Sequence, residues 1–555
     1  MASASYDLIV HGGQVVDGTG NPWVRLDIGV RDGRIAALGN LADEPAERRI
    51  DASGRWVTPG FVDVHAHSDF GIIANREAQS QVRQGITTEV VGNCGFGAFP
   101  RRKETLNLLF DPPGVDGEWS SADEYFQVLG SEPTGDNIAP LLGLGTVRKL
   151  VMGDDSGRAS PEQIELMRAE VDAAMRAGAF GVSTGLDYAP SSYADLDELV
   201  SMCEVVAEYG GVYASHLRGY TDTAVESVQE AITIGERSGA SVQLSHMNVF
   251  GRRSWGKIDE IIALINDARA RGVDVTADMM AYPTAGAWWA PRAILPASHY
   301  EWSADQTEQL ARVRAYLRDP AERAVIRKAV EERRTMSKAG FHEELLIFSD
   351  WRDVYLAGTA KGSVSADRVG ESFAAIAEST GAEPVDVFLD AIRDEGDDFS
   401  AVHIGISQDE ADALMVQPWM MFGTDSIATS IDRWTEPYNT IQSHPRHYAS
   451  YVRLLATFVR DRGLLTIEDA VRKMTSLGAR RFRLAGRGII DVGAWADLVV
   501  FDLDSLDEVA SWRQPRRYPA GIDTVVVNGV PAVSDGDFTH ELGGRALRLT
   551  PERTA

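Results

Sequence analysis

The chain has 555 residues, 44% of them hydrophobic, which is enough apolar side chain for one large core or two. Lysine and arginine number 54 against 82 aspartates and glutamates, so the net charge is −28, and this acidity disfavours nucleic-acid and membrane-surface partners. The two cysteines, Cys94 and Cys203, make no disulfide framework, the N-terminal MASASYDLIV lacks the pattern of a signal peptide, and no uncharged apolar run approaches ~20 residues. We therefore expect a soluble, cytoplasmic protein that acts on a small molecule, and the sequence leaves open whether it is a homo-oligomer.

The two ends of the chain have a similar β-rich pattern. Runs such as YDLIVHGGQVV near the start and GIDTVVVNGV near the end are separated by Gly and Asp-Gly pairs, which are typical of tight turns. We predict that residues 1–58 and 486–555 form one small β-sandwich domain built from both ends.

Residues 59–485 alternate strand-like and helix-like segments, a pattern that indicates βαβ units and a parallel sheet. One predicted helix begins after Ser160, with Gln163 in the capping-box position, and ends at Gly178. Cys203 lies on the apolar stripe of the next helix and should be buried. The fold class is therefore α/β, with a TIM-like (β/α)8 barrel as its main domain.

Residues 286–352 interrupt the alternation and predict an inserted, α-rich, lid-like subdomain within the barrel. One of its helices should begin after Asp319, with Pro320 in its first turn. The insertion contains four tryptophans that could line an apolar pocket or could simply pack the subdomain: Trp288, Trp289, Trp302 and Trp351.

The sharpest motif is GFVDVHAH, which ends in His65 and His67. Residues two apart on a strand project to the same face, so these imidazoles are placed to share a metal ion. Taken alone, one histidine could equally pack in the core while the other caps a loop.

Four more candidate ligands come where strand-like runs end. They are Cys94 after GITTEVVGN, His216 after GVYAS, His246 after SVQLS and Asp425 after WMMFGT. The loops at the carboxyl ends of barrel strands form one open face, so these side chains should meet. Each has an ordinary explanation by itself, as a buried cysteine, a core histidine or a helix cap, but six such residues at strand ends predict a metal site.

These residues resemble the amidohydrolase superfamily and, within it, the N-acyl-D-amino-acid deacylases, or D-aminoacylases. The likeness covers nearly the whole chain, and it includes GNCG, in which a cysteine stands in place of the carbamylated lysine of related hydrolases. It continues through GVSTGLDYAP, SHLR, LSHM, RDPAERAVI, FGTDS, HPRHY and ADLVVFD. The resemblance implies a metal-dependent hydrolase that acts on non-peptide carbon–nitrogen bonds.

By this resemblance Cys94, His216 and His246 hold one Zn²⁺ ion tightly, and His65, His67 and Asp425 surround a second, weaker position that Cys94 can bridge. A thiolate with imidazoles suits zinc. Zinc lowers the pKa of bound water from ~15.7 toward ~7, so metal-bound hydroxide would attack the amide. Asp425 would act as general base and then deliver the proton to the leaving nitrogen.

The resemblance also implies that tyrosines, a lysine and an arginine hold the carboxylate of an N-acyl (D-)amino acid. The candidate substrate contacts are Tyr188, Arg446, Tyr282, Asn248, Arg218 and Ser183. Asn248 stands where the lysine is usual, so the substrate differs from that of the family or another cation, such as Arg218, compensates.

Several alternatives remain. Hydrolysis of a cyclic amide, as in hydantoinases and dihydropyrimidinases, would use the same barrel and metal site, although Cys94 argues against it. A binding-only relative without catalysis is expected to lack a ligand or Asp425, and all six residues are present. A serine hydrolase is suggested by GVSTG around Ser183, but this segment leads into a loop instead of the helix that a nucleophile elbow needs.

Overall fold

The computed structural model describes residues 6–102, 105, 119–282, 285–288, 294–296, 299, 306–334, 350–359, 365–395, 399–431 and 444–550. Within those ranges no helix is both long and apolar enough to cross a membrane.

The strands of the described ranges are numbered in chain order. Those before residue 60 are β1 (Tyr6–His11), β2 (Gln14–Val15), β3 (Val24–Arg25), β4 (Asp27–Arg31), β5 (Arg34–Gly39), β6 (Ala46–Asp51) and β7 (Trp56–Pro59). The middle of the chain holds β8 (Phe61–Asp63), β9 (Ile86–Val91), β10 (Asn137–Pro140), β11 (Leu142–Gly143), β12 (Gly181–Gly185), β13 (Val212–His216), β14 (Ser241–Leu244), β15 (Val275–Met279), β16 (Ala285–Trp288), β17 (Val354–Gly358), β18 (Ser400–His403) and β19 (Met420–Phe422). The last are β20 (Leu498–Phe501), β21 (Ile522–Val527), β22 (Val530–Ser534) and β23 (Asp537–Phe538).

Helices fill most of the space between the middle strands. The α-helices are Ser68–Ala74, Gln79–Val82, Ala122–Leu129, Leu144–Met152, Pro161–Ala177, Leu196–Glu208, Ala224–Ser238, Ile258–Ala270, Gln306–Arg318, Pro320–Arg333, Phe373–Thr380, Pro384–Glu395, Gln408–Met415, Arg446–Arg453, Ile467–Met474 and Ser476–Arg481. A π-helix covers Leu454–Asp461, and short 3-10 helices cover Ser191–Tyr193 and Ala366–Arg368.

Strands from the two ends of the chain share one sheet. Its order is β23-β22-β21-β20-β7-β2-β3, and β7 pairs antiparallel with β20, with Thr58 opposite Val499. A second sheet, β5-β4-β1-β6, comes from the N-terminal segment alone. Apolar side chains from both sheets, among them Leu8, Ile28 and Leu498, pack into one cluster. Burial of this cluster holds the two ends of the chain together.

The middle strands run parallel around a ring. β8, β9 and β10 pair in one set, and β11 to β15 with β19 pair in the next. The ring closes where the Val64 N–H donates to the Phe422 carbonyl at 3.5 Å and where Ala66 bridges Ser426. Every residue of β12, β13 and β15 is buried, as expected for parallel strands covered on both faces. The carboxyl ends of all these strands therefore meet at one edge of the ring.

The inserted segment has its own hydrophobic core. Strands β16, β18 and β17 form an antiparallel sheet, and four of the helices, between residues 306 and 395, pack with it. The core includes Ile294, Trp351, Phe388 and Ala401, so the packed unit continues well past residue 352, where the sequence pattern places its end. The pattern misses this because the later helices, such as Pro384–Glu395, look like ordinary barrel helices in sequence.

The tryptophans of the insertion give one clear outcome. The ring of Trp351 lies 5.1 Å from that of Phe388 and 6.2 Å from that of Phe373, so Trp351 packs the subdomain core and does not line an acyl pocket. Trp289 and Trp302, and the side chain of Trp288, lie outside the described residues.

Local sequence signals for three helices are confirmed. Ser160 and Gln163 form a reciprocal capping box, and Gly178 ends that helix with φ 105°. The Asp319 side chain accepts hydrogen bonds from two backbone N–H groups at the start of Pro320–Arg333. Cys203 is fully buried on its helix. Caps and apolar stripes depend on neighbours a few residues away, so the sequence alone predicts them.

Candidate metal centre

The six predicted ligands come from four separate loops and one strand end. Cys94 follows β9, His216 ends β13, His246 follows β14, Asp425 follows β19, and His65 and His67 follow β8. Gly423 lets the Asp425 loop approach, because a Cβ at that position would lie 2.4 Å from the Cβ of His65.

Cys94 lies at the centre of the group. Its Sγ is 3.3 Å from Nε2 of His65 and 3.5 Å from Nε2 of His246. Nδ1 of His216 is 3.0 Å from Nε2 of His246. Within the described residues two buried triads could each hold a metal ion, His65 with His67 and Cys94, and Cys94 with His216 and His246. The thiol therefore belongs to both triads.

Asp425 joins this group through contacts with His65 and His67. Its Oδ1 lies 3.1 Å from Nε2 of His67 and 3.7 Å from Nε2 of His65. Its Oδ2 accepts a hydrogen bond from Nη1 of Arg446 at 2.7 Å. One carboxylate oxygen thus faces the imidazoles and the other is held by the guanidinium.

Three of the candidate ligands have a strained backbone. Cys94, His246 and Asp425 have φ values of 57°, 35° and 49°, in the left-handed region that non-glycine residues seldom adopt. Such residues cost about 1–3 kcal/mol each and persist only where the surroundings hold them. The His246 N–H donates to Oδ1 of Asp278 at 2.7 Å, and the Asp425 N–H donates to the carbonyl of His65 at 2.8 Å. These bonds fix the strained loops.

The surroundings of Cys94 and Asp425 favour the charged form of each. Burial alone would raise the pKa of the Cys94 thiol, but the adjacent His65 and His246 lower it well below its usual value. Burial would likewise raise the pKa of Asp425, but the Arg446 guanidinium and the neighbouring imidazoles lower it well below the usual value. A thiolate and a carboxylate beside several imidazoles, which bind a metal ion through their unprotonated nitrogens, make a donor set that matches a divalent zinc-type ion.

Two buried carboxylates that the sequence interpretation did not select support the histidines. Oδ1 of Asp278 lies 3.4 Å from Nδ1 of His65, and its Oδ2 accepts from Nε2 of Gln243 at 2.7 Å. Oδ2 of Asp187 lies 3.8 Å from Nε2 of His216. Ligating histidines commonly face a carboxylate with their second nitrogen, which fixes the ring. Asp278 is the penultimate residue of the strand-like run VDVTADM, so its position near a strand end was a usable signal.

The predicted substrate contacts Arg446 and Tyr188 lie at the site, but both already bind protein atoms. Arg446 holds Asp425, and its buried Nε has no hydrogen-bond partner among the described residues. The Tyr188 hydroxyl donates to the carbonyl of Cys94 at 2.6 Å, and its ring lies 5.1 Å from that of His216. The third contact, Asn248, donates from Nδ2 to the carbonyl of His246 at 2.5 Å.

Two other predicted contacts, Arg218 and Tyr282, bind protein groups away from the metal centre. Arg218 forms a bidentate ion pair with Glu230 and donates to two backbone carbonyls, so its charge is already compensated. The Tyr282 hydroxyl donates to Glu508 at 2.8 Å, away from the histidines. These long side chains can reach several partners, and sequence spacing does not say which one they take.

Ser183 has a supporting role in this geometry. It lies fully buried in the middle of β12, donates to the Gly92 carbonyl at 2.6 Å and accepts from the Gly95 N–H at 2.9 Å. It therefore braces the loop that carries Cys94. A strand interior is not the strand-to-helix turn of a nucleophile elbow, so the serine-hydrolase alternative is wrong.

Comparison with known proteins identifies the family to which this chain belongs. The family model described as the amidohydrolase family matches residues 48–278 and 367–533, which is most of the chain. The chain belongs to the amidohydrolase family. The family predicted from the motifs is thus confirmed.

Relatives of this amidohydrolase match it over nearly its whole length. N-acyl-D-glutamate deacylase of Alcaligenes xylosoxydans xylosoxydans is 32% identical, covering 98% of this chain and 96% of the relative. D-aminoacylase of the same organism is 32% identical, covering 99% of each.

Solved structures of other amidohydrolases agree. N-acyl-D-glutamate deacylase from Bordetella bronchiseptica, complexed with zinc and a phosphonate mimic of the tetrahedral intermediate, has a TM-score of 0.76 at 31% identity, covering 98% of this chain and 100% of the other. D-hydantoinase from Thermus sp. is more distant, with a TM-score of 0.54 at 17% identity, covering 98% and 99%, and shares the fold alone.

Proposed function

We propose that this amidohydrolase cleaves a linear amide, an N-acyl (D-)amino acid or a related N-acyl compound, at a zinc centre. The observation that carries the proposal is that two buried triads share Cys94 and lie beside the ionised Asp425. Relatives that are deacylases match almost the entire chain, whereas a hydantoinase matches only 24% of it in sequence, which favours a linear over a cyclic amide.

We assign Cys94, His216 and His246 to one zinc ion. His65, His67 and Asp425 would surround a second, weaker position, with Cys94 between the two. A bound zinc ion supplies Lewis-acid polarisation and makes hydroxide available near neutral pH. The thiolate and imidazole donors fit zinc better than magnesium or calcium, which prefer oxygen ligands.

Asp425 has the geometry of the general base and acid. Its Oδ1 faces the imidazole cluster, where it can take a proton from the attacking water and return it to the leaving nitrogen. Arg446 holds Oδ2 and keeps the carboxylate ionised before the reaction. A binding-only protein would have no need of this ion pair beside a metal centre.

We also retain the finer structural predictions as proposals. The ring of parallel strands would be a TIM-like (β/α)8 barrel over residues 59–485, with a β-sandwich from residues 1–58 and 486–555. The inserted, α-rich subdomain would begin near residue 286 and end near 403 in place of 352, because its core includes Ala401. Two free cysteines and a strongly acidic surface favour a cytoplasmic enzyme without nucleic-acid or membrane partners.

The test is a hydrolysis screen with measured metal content. Zinc-loaded enzyme is offered N-acyl-D- and L-amino acids, neutral N-acyl amides and hydantoins, and the released amine is quantified. Asp425→Asn should lose about 10²- to 10⁴-fold in rate while it keeps the tightly bound zinc. The exposed Asp504→Asn, which makes the same change in charge, should match the wild type. Full activity of Asp425→Asn, or turnover of hydantoins alone, would reject the proposal.

A further inference from the structure

Tyr220 lies between the loops that carry His216 and His246. It is buried, with 2% of the residue exposed. Its ring meets the imidazole of His216 edge-on, with 5.1 Å between the ring centroids and 84° between the planes. The imidazole of His246 lies 5.2 Å from the same ring. One aromatic side chain therefore contacts two of the three residues that we assign to the tightly bound zinc ion.

The hydroxyl of Tyr220 bonds to the backbone next to both histidines. It accepts the N–H of Leu217, the residue after His216, at 2.8 Å. It donates to the carbonyl of Ser245, the residue before His246, at 3.2 Å. A phenol can donate one hydrogen bond and accept others, so this hydroxyl uses both functions on the main chain beside two candidate ligands.

The peptide plane between Ser245 and His246 is held at both of its ends. Its carbonyl accepts from Tyr220, and its N–H donates to Oδ1 of Asp278 at 2.7 Å. Rotation of this plane changes φ of His246, which is 35° and lies in the left-handed region. Tyr220 therefore helps to hold the strained conformation in which Nε2 of His246 lies 3.5 Å from Sγ of Cys94.

The peptide plane between His216 and Leu217 is held in the same way. Its N–H donates to Tyr220, and its carbonyl accepts from the N–H of Leu186 at 3.0 Å. Nδ1 of His216 lies 3.0 Å from Nε2 of His246. Zinc accepts ligand distances within about 0.2 Å of their usual values, so a small rotation of either plane would disturb the site.

Tyr220 is itself held in place. Its carbonyl accepts the N–H of Phe250 at 2.8 Å, and the centroids of the two rings lie 5.9 Å apart. Phe250 in turn forms a β-bridge with Ile406, which follows β18. The phenol therefore has a fixed position from which its hydroxyl sets the separation of the two histidine loops.

We propose that the hydroxyl of Tyr220 is a positioning group for the tightly bound zinc ion. It fixes the peptide planes beside His216 and His246, so that their imidazoles and the Cys94 thiolate are arranged for the metal before it binds. This inference rests on the zinc centre of the proposed function and deepens it. Groups that support metal ligands from outside typically contribute about 10- to 100-fold in metal affinity.

The experiment removes this hydroxyl and keeps the ring, with Tyr220→Phe. The matched control is Tyr213→Phe, because Tyr213 is also buried and lies on β13, which ends at His216. The Tyr213 hydroxyl lies 3.1 Å from Oγ1 of Thr184 and donates to Oγ of Ser215 at 3.2 Å, so its bonds are to side chains. Each variant loses one buried hydroxyl, but only Tyr220→Phe releases the two peptide planes.

Zinc affinity is measured by competition with a zinc-binding dye, and the metal-free proteins are unfolded in urea. The visible spectrum of the Co²⁺-loaded proteins reports the number and arrangement of the ligands. We expect Tyr220→Phe to bind zinc about tenfold more weakly and to change the Co²⁺ spectrum. Tyr213→Phe should keep the wild-type affinity and spectrum, although both variants unfold at lower urea concentration.

Wild-type zinc affinity and an unchanged Co²⁺ spectrum in Tyr220→Phe would overturn the inference. An equal loss of zinc affinity in the two variants would also overturn it, because the effect would then be a general loosening of the barrel. Both results leave the zinc centre of the wild type in place. A wild type that binds no zinc would instead reject the proposed function, and the inference with it.

Discussion

Replacing Asp278 by asparagine removes one negative charge from behind the histidine cluster and changes little in shape. Asp278 is 1% exposed, lies 3.4 Å from Nδ1 of His65 and accepts the backbone N–H of His246. Loss of a carboxylate behind a ligating histidine typically weakens metal binding about 10- to 100-fold. Each tenfold change in affinity corresponds to about 1.4 kcal/mol, so this range equals about 1.4–2.7 kcal/mol of binding free energy. We expect a loss of this size for the metal held through His65.

The substitution also has a structural cost that can be separated. Asparagine would turn an N–H₂ group toward Nε2 of Gln243, which now donates to Oδ2 of Asp278 at 2.7 Å. Rotating Gln243 would turn its Nε2 toward the Thr276 hydroxyl, which could accept that bond but would lose Oε1 as the acceptor of its own proton. An unpaired buried donor costs about 1–3 kcal/mol, so the single variant should unfold at lower urea concentration. The double variant Asp278→Asn with Gln243→Glu restores every hydrogen bond and the net charge.

The assay is competition with a zinc-binding dye, beside urea denaturation of the metal-free proteins. The double variant should recover most of the unfolding free energy but retain the weaker zinc affinity, because its carboxylate no longer faces His65. Wild-type zinc affinity in the double variant would refute the view that Asp278 supports the metal through its charge.

Three more predictions concern other buried groups. Cys94→Ala should lose zinc and hydrolysis together, because both triads contain this thiol. Cys203→Ala, at the other buried cysteine, should keep both. Metal analysis and amine release measure these properties, and zinc retained in Cys94→Ala would contradict the prediction. Arg148→Met should cost about 3–5 kcal/mol of unfolding free energy, because it leaves the buried Glu198 carboxylate, 3.0 Å from Nε of Arg148, and two backbone carbonyls without their partner. Urea denaturation measures this loss. A loss under about 1 kcal/mol would show that the ion pair is not buried as described. Glu89→Gln should flatten the pH dependence of stability. In the folded protein burial raises the pKa of Glu89 well above its usual value and the pKa of Asp136 to about 7. The folded state therefore binds more protons than the unfolded state. Because of this, stability falls as the pH rises from about 4 through 7, by up to about 1.4 kcal/mol per pH unit for each proton. In thermal melts the melting temperature of the variant should therefore exceed that of the wild type at pH 8 but not at pH 4.5. An equal dependence of melting temperature on pH in the two proteins would refute this. The control is Glu165→Gln, at an exposed position.

The arrangement of the metal ligands could be predicted from sequence because the signal is local. Each ligand ends or closely follows a short buried run, and the carboxyl ends of parallel strands meet at one edge of the ring. The sequence does not give the distance in space between Cys94 and His246, but the predicted fold class places both at the same edge of the ring. Helix caps such as Ser160 follow the same logic, since their partners lie three residues away.

Only the tertiary structure decided where the long polar side chains bind. From sequence, Arg446 is the arginine that the family resemblance assigns to a substrate carboxylate, and Arg218 is a cation that could compensate for Asn248. In the structure the first holds Asp425, 21 residues earlier in the chain, and the second holds Glu230 on the following helix. Asn248 stands at a position where the sequence pattern leads one to expect a lysine, and only the structure shows that its Nδ2 donates to the carbonyl of His246. Flexible side chains choose partners by three-dimensional proximity and charge, and neither quantity has a fixed spacing along the sequence.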